Sequence, residues 1–183
     1  MSMHFADKIT IQMPEFISKY PQSLHNRIIT IPNPVPQATK SSTPSNPNQQ
    51  GRFVMLGVSR LDKLQKRIIL LIKAFILLSN EFPQWDLQII GDGEEKDLLQ
   101  KFVIEKKLDQ RIIFITAKKD IYKYYTGANL FVIPSLWEGF PNALAEAMSS
   151  SLPAVGFAEA SGVSELIGQG GWLANGNSSV ESL

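Results

Sequence analysis

Leu130-Phe131-Val132-Ile133-Pro134-Ser135-Leu136-Trp137-Glu138-Gly139-Phe140-Pro141-Asn142-Ala143-Leu144-Ala145-Glu146-Ala147-Met148 runs from an apolar tetrapeptide through a turn into a small-residue helix. The tetrapeptide predicts a strand, and Pro141 suits the first helical position because its missing N–H would be unpaired there anyway. That placement leaves the N–H groups of Asn142, Ala143 and Leu144 pointing out of the helix start. Such a start offers unpaired donors and partial positive charge, which seat a phosphate. Gly139 and Ala143 are small enough to let a diphosphate approach the backbone. Glu138 and Glu146 flank the opening as acceptors suited to sugar hydroxyls. A strand, an anion seat and two hydroxyl-binding acids together point to a nucleotide-sugar site.

The surroundings repeat the strand-then-helix pattern. Strands are predicted at 53–58, 87–90, 111–115, 130–133, 154–157 and 172–174, with helices at 66–80, 94–107, 121–127, 141–150 and 161–167. In the second helix Leu98, Leu99, Phe102 and Val103 form one apolar stripe, with Lys96, Lys101 and Lys106 elsewhere. Short apolar runs alternating with such helices predict βαβ units, hence a Rossmann-like parallel sheet with helices on both faces. Ligands bind beyond the carboxyl ends of such strands. The residues that matter therefore follow the strands: Ser59-Arg60, Gly91-Asp92-Gly93, Thr116-Ala117-Lys118-Lys119 and residues 135–142.

Upstream, residues 36–50 contain one apolar residue, Ala38, and read as a linker or mobile loop. They separate a short arm, with strand-like pieces at 8–12 and 27–31, from the main domain at 51–183. The 183 residues suffice for one domain, or one domain and part of another. A net charge of +1 gives no reason to expect a nucleic-acid partner. With no cysteine, disulfides and thiolate zinc sites are excluded, which fits a reducing, cytoplasmic setting. No apolar run approaches the roughly 18 residues of a membrane span, and Met1 to Asp7 lack a signal peptide's basic-then-apolar pattern.

The helix dipole is worth only about 0.3–2 kcal/mol to an anion, so cations should assist it. Arg60 and Lys66 follow the first strand of the main sheet. Arg grips phosphate in a bidentate way and Lys adds a point charge; taken singly, either also reads as a solvated surface cation. Glu146 alone would be the polar face of its helix. Two carboxylates can also signal a glycosidase, but a parallel-sheet helix start suits phosphate better than polysaccharide. Asp92 reads as an N-cap. His4 and His25 read as surface residues and Trp85 as packing, while Trp137 either shields the sugar pocket or packs in the core.

Glu138 to Met148 closely resembles the Glu-x(7)-Glu signature of retaining glycosyltransferases of family 4, which have the GT-B architecture of two Rossmann-like halves facing a cleft. Leu56-Gly57-Val58-Ser59-Arg60-Leu61-Asp62 through Lys66, then Ala74-Phe75, resembles the family's Gly-Arg-Leu…Lys…Ala-Phe block. Leu87 to Gly93 is similar to its Gly-x-Gly strand end, and Ile31-Pro32-Asn33 to the segment entering the second half. The likeness spans residues 27–174.

The resemblance implies that Glu138 binds hydroxyls of the transferred sugar and Glu146 those of the ribose. Gly139, Phe140, Pro141, Asn142, Ala143 and Leu144 would contact sugar and diphosphate. Arg60 and Lys66 would act with Glu138 in catalysis by neutralising the leaving phosphate, and Thr116 and Lys118 would border the base. The donor would be UDP- or GDP-linked, with no cofactor and, absent an Asp-x-Asp pair, no metal. The acceptor would be a glycan or a lipid-linked sugar, which allows peripheral association at the inner face of a membrane.

This sequence departs from the family in three places. Arg60 and Lys66 are one residue further apart than usual, with Lys63 and Arg67 as competing cations. Ser149-Ser150-Ser151 stands where Gly precedes Leu-Pro, and Thr116-Ala117 replaces a Gly. Residues 1–35 correspond to the tail of the acceptor-binding half, and the family's last helices lie beyond Leu183. The chain alone is thus expected to bind donor with little or no turnover. The alternatives are a binding module and, less well matched, a GT-B nucleotide-sugar epimerase.

Overall fold

The computed structural model describes residues 6–116, 120–168, 170–176 and 179–183. The arm holds two short parallel strands, β1 (Ile9–Ile11) and β2 (Ile28–Thr30), joined through 3-10 turns at Pro14–Lys19 and Gln22–Arg27. The main body alternates β3 (Phe53–Val58), α1 (Ile68–Leu78), β4 (Trp85–Ile90), α2 (Lys96–Glu105), β5 (Ile112–Ile115) and α3 (Tyr122–Gly127). It continues through β6 (Leu130–Ile133), α4 (Asn142–Ser149), β7 (Ala154–Phe157), α5 (Val163–Ile167) and β8 (Gly171–Ala174).

The six strands lie parallel in the order β5-β4-β3-β6-β7-β8. The chain starts at the middle, winds to one edge, then returns to the other side of β3. Beyond the β3–β6 boundary, connections leave in opposite directions and open a crevice. Alternate residues explain the two layers. Val54, Leu56, Phe131 and Ile133 pack with Tyr125, Leu144 and Val163 on the α3–α5 face. Leu87, Ile89 and Val132 pack with Leu71, Phe75 and Leu99 on the α1–α2 face. Burial on both sides is why these strands read as nearly continuous apolar runs.

Several element bounds differ from the sequence expectation. The first main-body helix begins at Ile68 rather than residue 66, because Asp62 closes a loop ahead of it. Asp62 Oδ1 accepts from the N–H groups of Gln65 and Lys66 at 2.9 and 3.1 Å, and its carbonyl accepts from Arg67. In α2, Leu99 and Val103 are buried, but Leu98 is 64% exposed and leaves the predicted stripe. Trp85 begins β4 and stacks on Phe53 with ring centroids 5.2 Å apart, as its packing role predicts.

Residues 36–50 form neither helix nor strand, yet their polar groups are bonded to the body. The buried Ser42 donates its N–H to the Ser150 carbonyl at 2.7 Å and its hydroxyl to that of Ser151 at 2.9 Å. Asn129 donates to the carbonyls of Pro44 and Asn46 while its Oδ1 accepts the Val54 N–H. At the amino-terminal rim of the sheet, Asp86 is clasped by Arg52 and Arg111. No helix among the described residues is long and apolar enough to cross a membrane.

Candidate functional site

A cleft of about 530 Å³ opens at the carboxyl ends of β3, β4 and β6, at the switch point of the sheet. Its lining includes Arg60, Lys66, Asp92, Glu138, Asn142 and Ala143. The backbone that shapes one wall requires glycine. Gly91 follows β4 with φ 155°, and a Cβ there would lie 1.8 Å from the Ser59 carbonyl oxygen. The Gly-x-Gly strand end thus lets the segment carrying Arg60 lie against the turn after β4.

Glu138 is the most constrained acid in the cleft. Its side chain is 7% exposed and receives Lys66 Nζ at 2.6 Å on Oε1 and 2.8 Å on Oε2. Ser135 Oγ donates to Oε1 at 2.6 Å and Gln65 Nε2 to Oε2 at 3.4 Å. Buried charge persists only when paired and hydrogen-bonded in this way. The Glu138 backbone is held from the other side: its N–H donates to Ser161, and Gly162, at φ 79°, packs where a Cβ would meet the Glu138 carbonyl at 2.5 Å.

The Asp62 loop selects among the cations. It turns Lys66 into the cleft, leaves Lys63 exposed, and places Arg67 over the Phe157 ring at 5.8 Å with a left-handed φ of 52°. Burial opposes ionisation of Asp62, but the N–H groups of Lys66 and Gln65 and the charges of Arg60 and Lys66 outweigh it. Its carboxyl is held below the ordinary range. Arg60 lines the same cleft with its side chain 74% exposed, 3.4 Å from Asp62.

The helix opening differs from the expectation in three respects. Pro141 is the N-cap rather than the first helical residue: its ψ of 81° is not helical, while its carbonyl accepts the Ala145 N–H at 3.0 Å. The Asn142 N–H is already bonded to the Phe140 carbonyl at 2.9 Å, so of the three amides expected at the helix start the one at the cleft lining is that of Ala143. Leu144 is wholly buried, backbone included, and does not line the cleft. Gly139 is exposed and Phe140 half-buried at the mouth.

Glu146 lies one turn further along α4, outside the cleft lining, and the Tyr125 hydroxyl donates to its Oε2 at 2.9 Å. Burial first, then the charge and hydrogen bond of Glu146, raise the Tyr125 pKa, so the phenol stays a donor. Thr116 is exposed and receives Lys96 Nζ at 3.4 Å, while Lys118 lies outside the described residues. Asp92 is not the cap of α2, whose N-cap is Glu95; its carboxylate faces the cleft, 3.5 Å from Lys96 Nζ. Trp137 is 53% exposed at the rim and not in the core. Among the described residues no group of three His, Asp or Glu side chains gathers as a metal site requires.

The sequence reading missed the arm's contribution. Gln12 Nε2 donates to Asn33 Oδ1 at 2.7 Å, and Asn33 Nδ2 donates to Asn142 Oδ1 at 2.9 Å. Glu15 accepts the Gly162 N–H, and its own N–H donates to Glu165 at 3.2 Å. His25 bonds the Tyr20 carbonyl within the arm at 3.0 Å. These links cross up to 150 residues of sequence and carry no local signal.

Fold and cleft define a Rossmann-like domain with a crevice at its switch point that Arg60 and Lys66 line. The chain belongs to the family described as glycosyl transferases group 1, which it matches over residues 39–183. It is 33% identical over 162 residues to an uncharacterised glycosyltransferase of Methanocaldococcus jannaschii, covering 82% of this chain and 39% of that one. It is 34% identical over 114 residues to a Campylobacter jejuni N-acetylgalactosaminyltransferase acting on a diphospho-undecaprenol-linked sugar, covering 62% and 30%. The crystal structure of pneumococcal O-GlcNAc transferase GtfA with UDP and GlcNAc superposes with a TM-score of 0.73 at 28% identity, over 93% of this chain and 34% of that one. The chain therefore spans well under half the length of these relatives, and its structural neighbours have the GT-B architecture.

Proposed function

We propose that the chain is the nucleotide-sugar-binding half of a retaining glycosyltransferase of family 4. The whole enzyme transfers a hexosyl group from a UDP- or GDP-linked donor to a glycan or lipid-linked acceptor. The observation that carries this reading is the convergence, at one switch-point cleft, of Arg60, the Lys66–Glu138 pair and the α4 opening. The diphosphate sits against the Ala143 amide, with Arg60 and Lys66 as its cations. As Lys66 turns to the phosphate it loosens its hold on Glu138, whose carboxylate then accepts sugar hydroxyls. Glu146, oriented by Tyr125, accepts the ribose hydroxyls.

Both acids are engaged by donors, Glu138 by Lys66 and Ser135, Glu146 by Tyr125. Neither stands free as a nucleophile, which favours catalysis by positioning and charge stabilisation on the leaving diphosphate. Two cations make a metal clamp unnecessary in this scheme. The C. jejuni relative's lipid-diphosphate-linked acceptor favours the same acceptor class here, with peripheral attachment at the cytoplasmic membrane face. Arg60 and Asp92 side chains stay 74% and 61% exposed, so this chain alone does not exclude water from the cleft. Donor binding without appreciable transfer is the expected behaviour.

Calorimetric titration with UDP-, GDP- and ADP-sugars tests the reading. Saturable binding of at least one is expected. Failure of all three to bind the folded chain overturns it.

A further inference from the structure

The chain of side-chain amides Gln12–Asn33–Asn142 runs from the arm to the first residue of α4, at the wall of the cleft. Every link has a direction. Gln12 gives its amide N–H to the Asn33 oxygen, and Asn33 gives its amide N–H to the Asn142 oxygen. With Oδ1 engaged by Asn33, Asn142 presents at the cleft end its Nδ2 group, a pure donor. At the other end Gln12 Oε1 lies against Gly139, 3.3 Å from where a Cβ there would stand. Arg60 and Lys66, lining the same cleft, make its chemistry that of an anion seat, and a donor at the cleft end matches an anionic oxygen.

We propose that Asn142 donates a hydrogen bond from Nδ2 to a diphosphate oxygen of the bound nucleotide-sugar, and that Asn33 and Gln12 are positioning residues which fix that polarity. The inference rests on the donor-site reading above and deepens it by naming the donor atom of Asn142 and adding two residues of the arm. An isolated asparagine amide flips between donor and acceptor at little cost. Here a flip of Asn142 would bring two N–H groups, or two oxygens, face to face at its bond with Asn33, so the relay holds all three amides in one sense. The arm thereby acts on the cleft through hydrogen bonds, without touching the ligand.

The experiment measures UDP binding to the full chain by calorimetry, with thermal melting as the check on folding. In Gln12→Glu, an isosteric change, the carboxylate can only accept, so Asn33 and then Asn142 reverse and an oxygen faces the cleft. Asn33→Asp reverses Asn142 directly, and Asn142→Asp puts an anion there. Each is expected to weaken UDP binding by about tenfold or more, the scale of a hydrogen bond to a charged group. Gln12→Ala, which imposes no direction, should cost less than Gln12→Glu. That ranking is opposite to what a packing role for Gln12 produces. If wild type binds UDP and the three acid variants bind equally well while melting as wild type does, the relay is overturned. So it is if Gln12→Ala is worse than Gln12→Glu. If wild type itself binds neither UDP nor GDP, the donor-site reading falls and the relay falls with it.

Discussion

Each end of the sheet carries a carboxylate clasped by cationic side chains, half-buried Asp86 by two arginines at one rim and buried Glu138 by one lysine at the other, and the two clasps differ. At the amino-terminal rim Asp86 lies between Arg52 and Arg111, and further guanidinium donors go to the carbonyls of Ser79, Phe82, Pro83 and Trp85. At the carboxyl rim Glu138 is held by Lys66, Gln65 and Ser135, but that pair faces an open cleft beside Arg60 and a helix start. A planar guanidinium fork locked to backbone makes a structural clamp. A single flexible ammonium can change partners. The same kind of ion pair is therefore closed at one rim and exchangeable at the other.

Breaking the carboxyl-rim pair should do most. Lys66→Ala removes a cleft cation and leaves Glu138 buried without its partner. Affinity for UDP-sugar should fall at least about a hundredfold, and urea denaturation should show a loss of about 3 kcal/mol. Unchanged affinity would mean the pair is as closed as that of Asp86. The complementary change, Asp86→Asn, strands two arginines and should cost about 2 kcal/mol in the same denaturation. Its effect on UDP binding should stay within about twofold because the sites are far apart; a large binding defect would erase the distinction between the rims.

Smaller effects sharpen the account of how the open clasp is supported. Tyr125→Phe removes the donor to Glu146 and should cost about 1 kcal/mol, read from the urea midpoint; no change would show that the hydroxyl bond does not orient that acid. Asp62 anchors the Lys66 loop, and its folded-state pKa lies below its unfolded one. Its contribution is thus present above an unfolded pKa of about 3.9 and disappears as pH falls through the lower folded value. Stability of the wild type between pH 7 and pH 2 should fall more steeply than that of Asp62→Asn. Parallel curves would contradict the shift.

Much of this was legible from local pattern. Strands β3, β6 and β7 fall where apolar runs placed them, because both their faces are buried and no alternation blurs the signal. Helix ends were less visible: the closing of the 62–67 loop depends on one Asp side chain, which neither periodicity nor propensity encodes. The same limit applies to Pro141, whose N-cap role goes with a non-helical ψ of 81° that the sequence does not encode. Leu98 was assigned to the stripe on composition, though Leu99 and Val103, spaced by four, are what the sheet buries. At the site, Glu138 and Lys66 could each be named, but their pairing joins residues 72 apart. The amide relay joins residues 21 and then 109 apart. Such contacts are products of topology, and only the folded arrangement displays them.

Hydrogen–deuterium exchange with and without a saturating UDP-sugar sets the two rims against each other in one experiment. Slowed exchange is predicted in peptides covering residues 59–66 and 138–146, with no change across residues 79–86. Protection at the Asp86 rim, or a bound nucleotide that leaves residues 138–146 untouched, would contradict the placement of the donor at the exchangeable clasp.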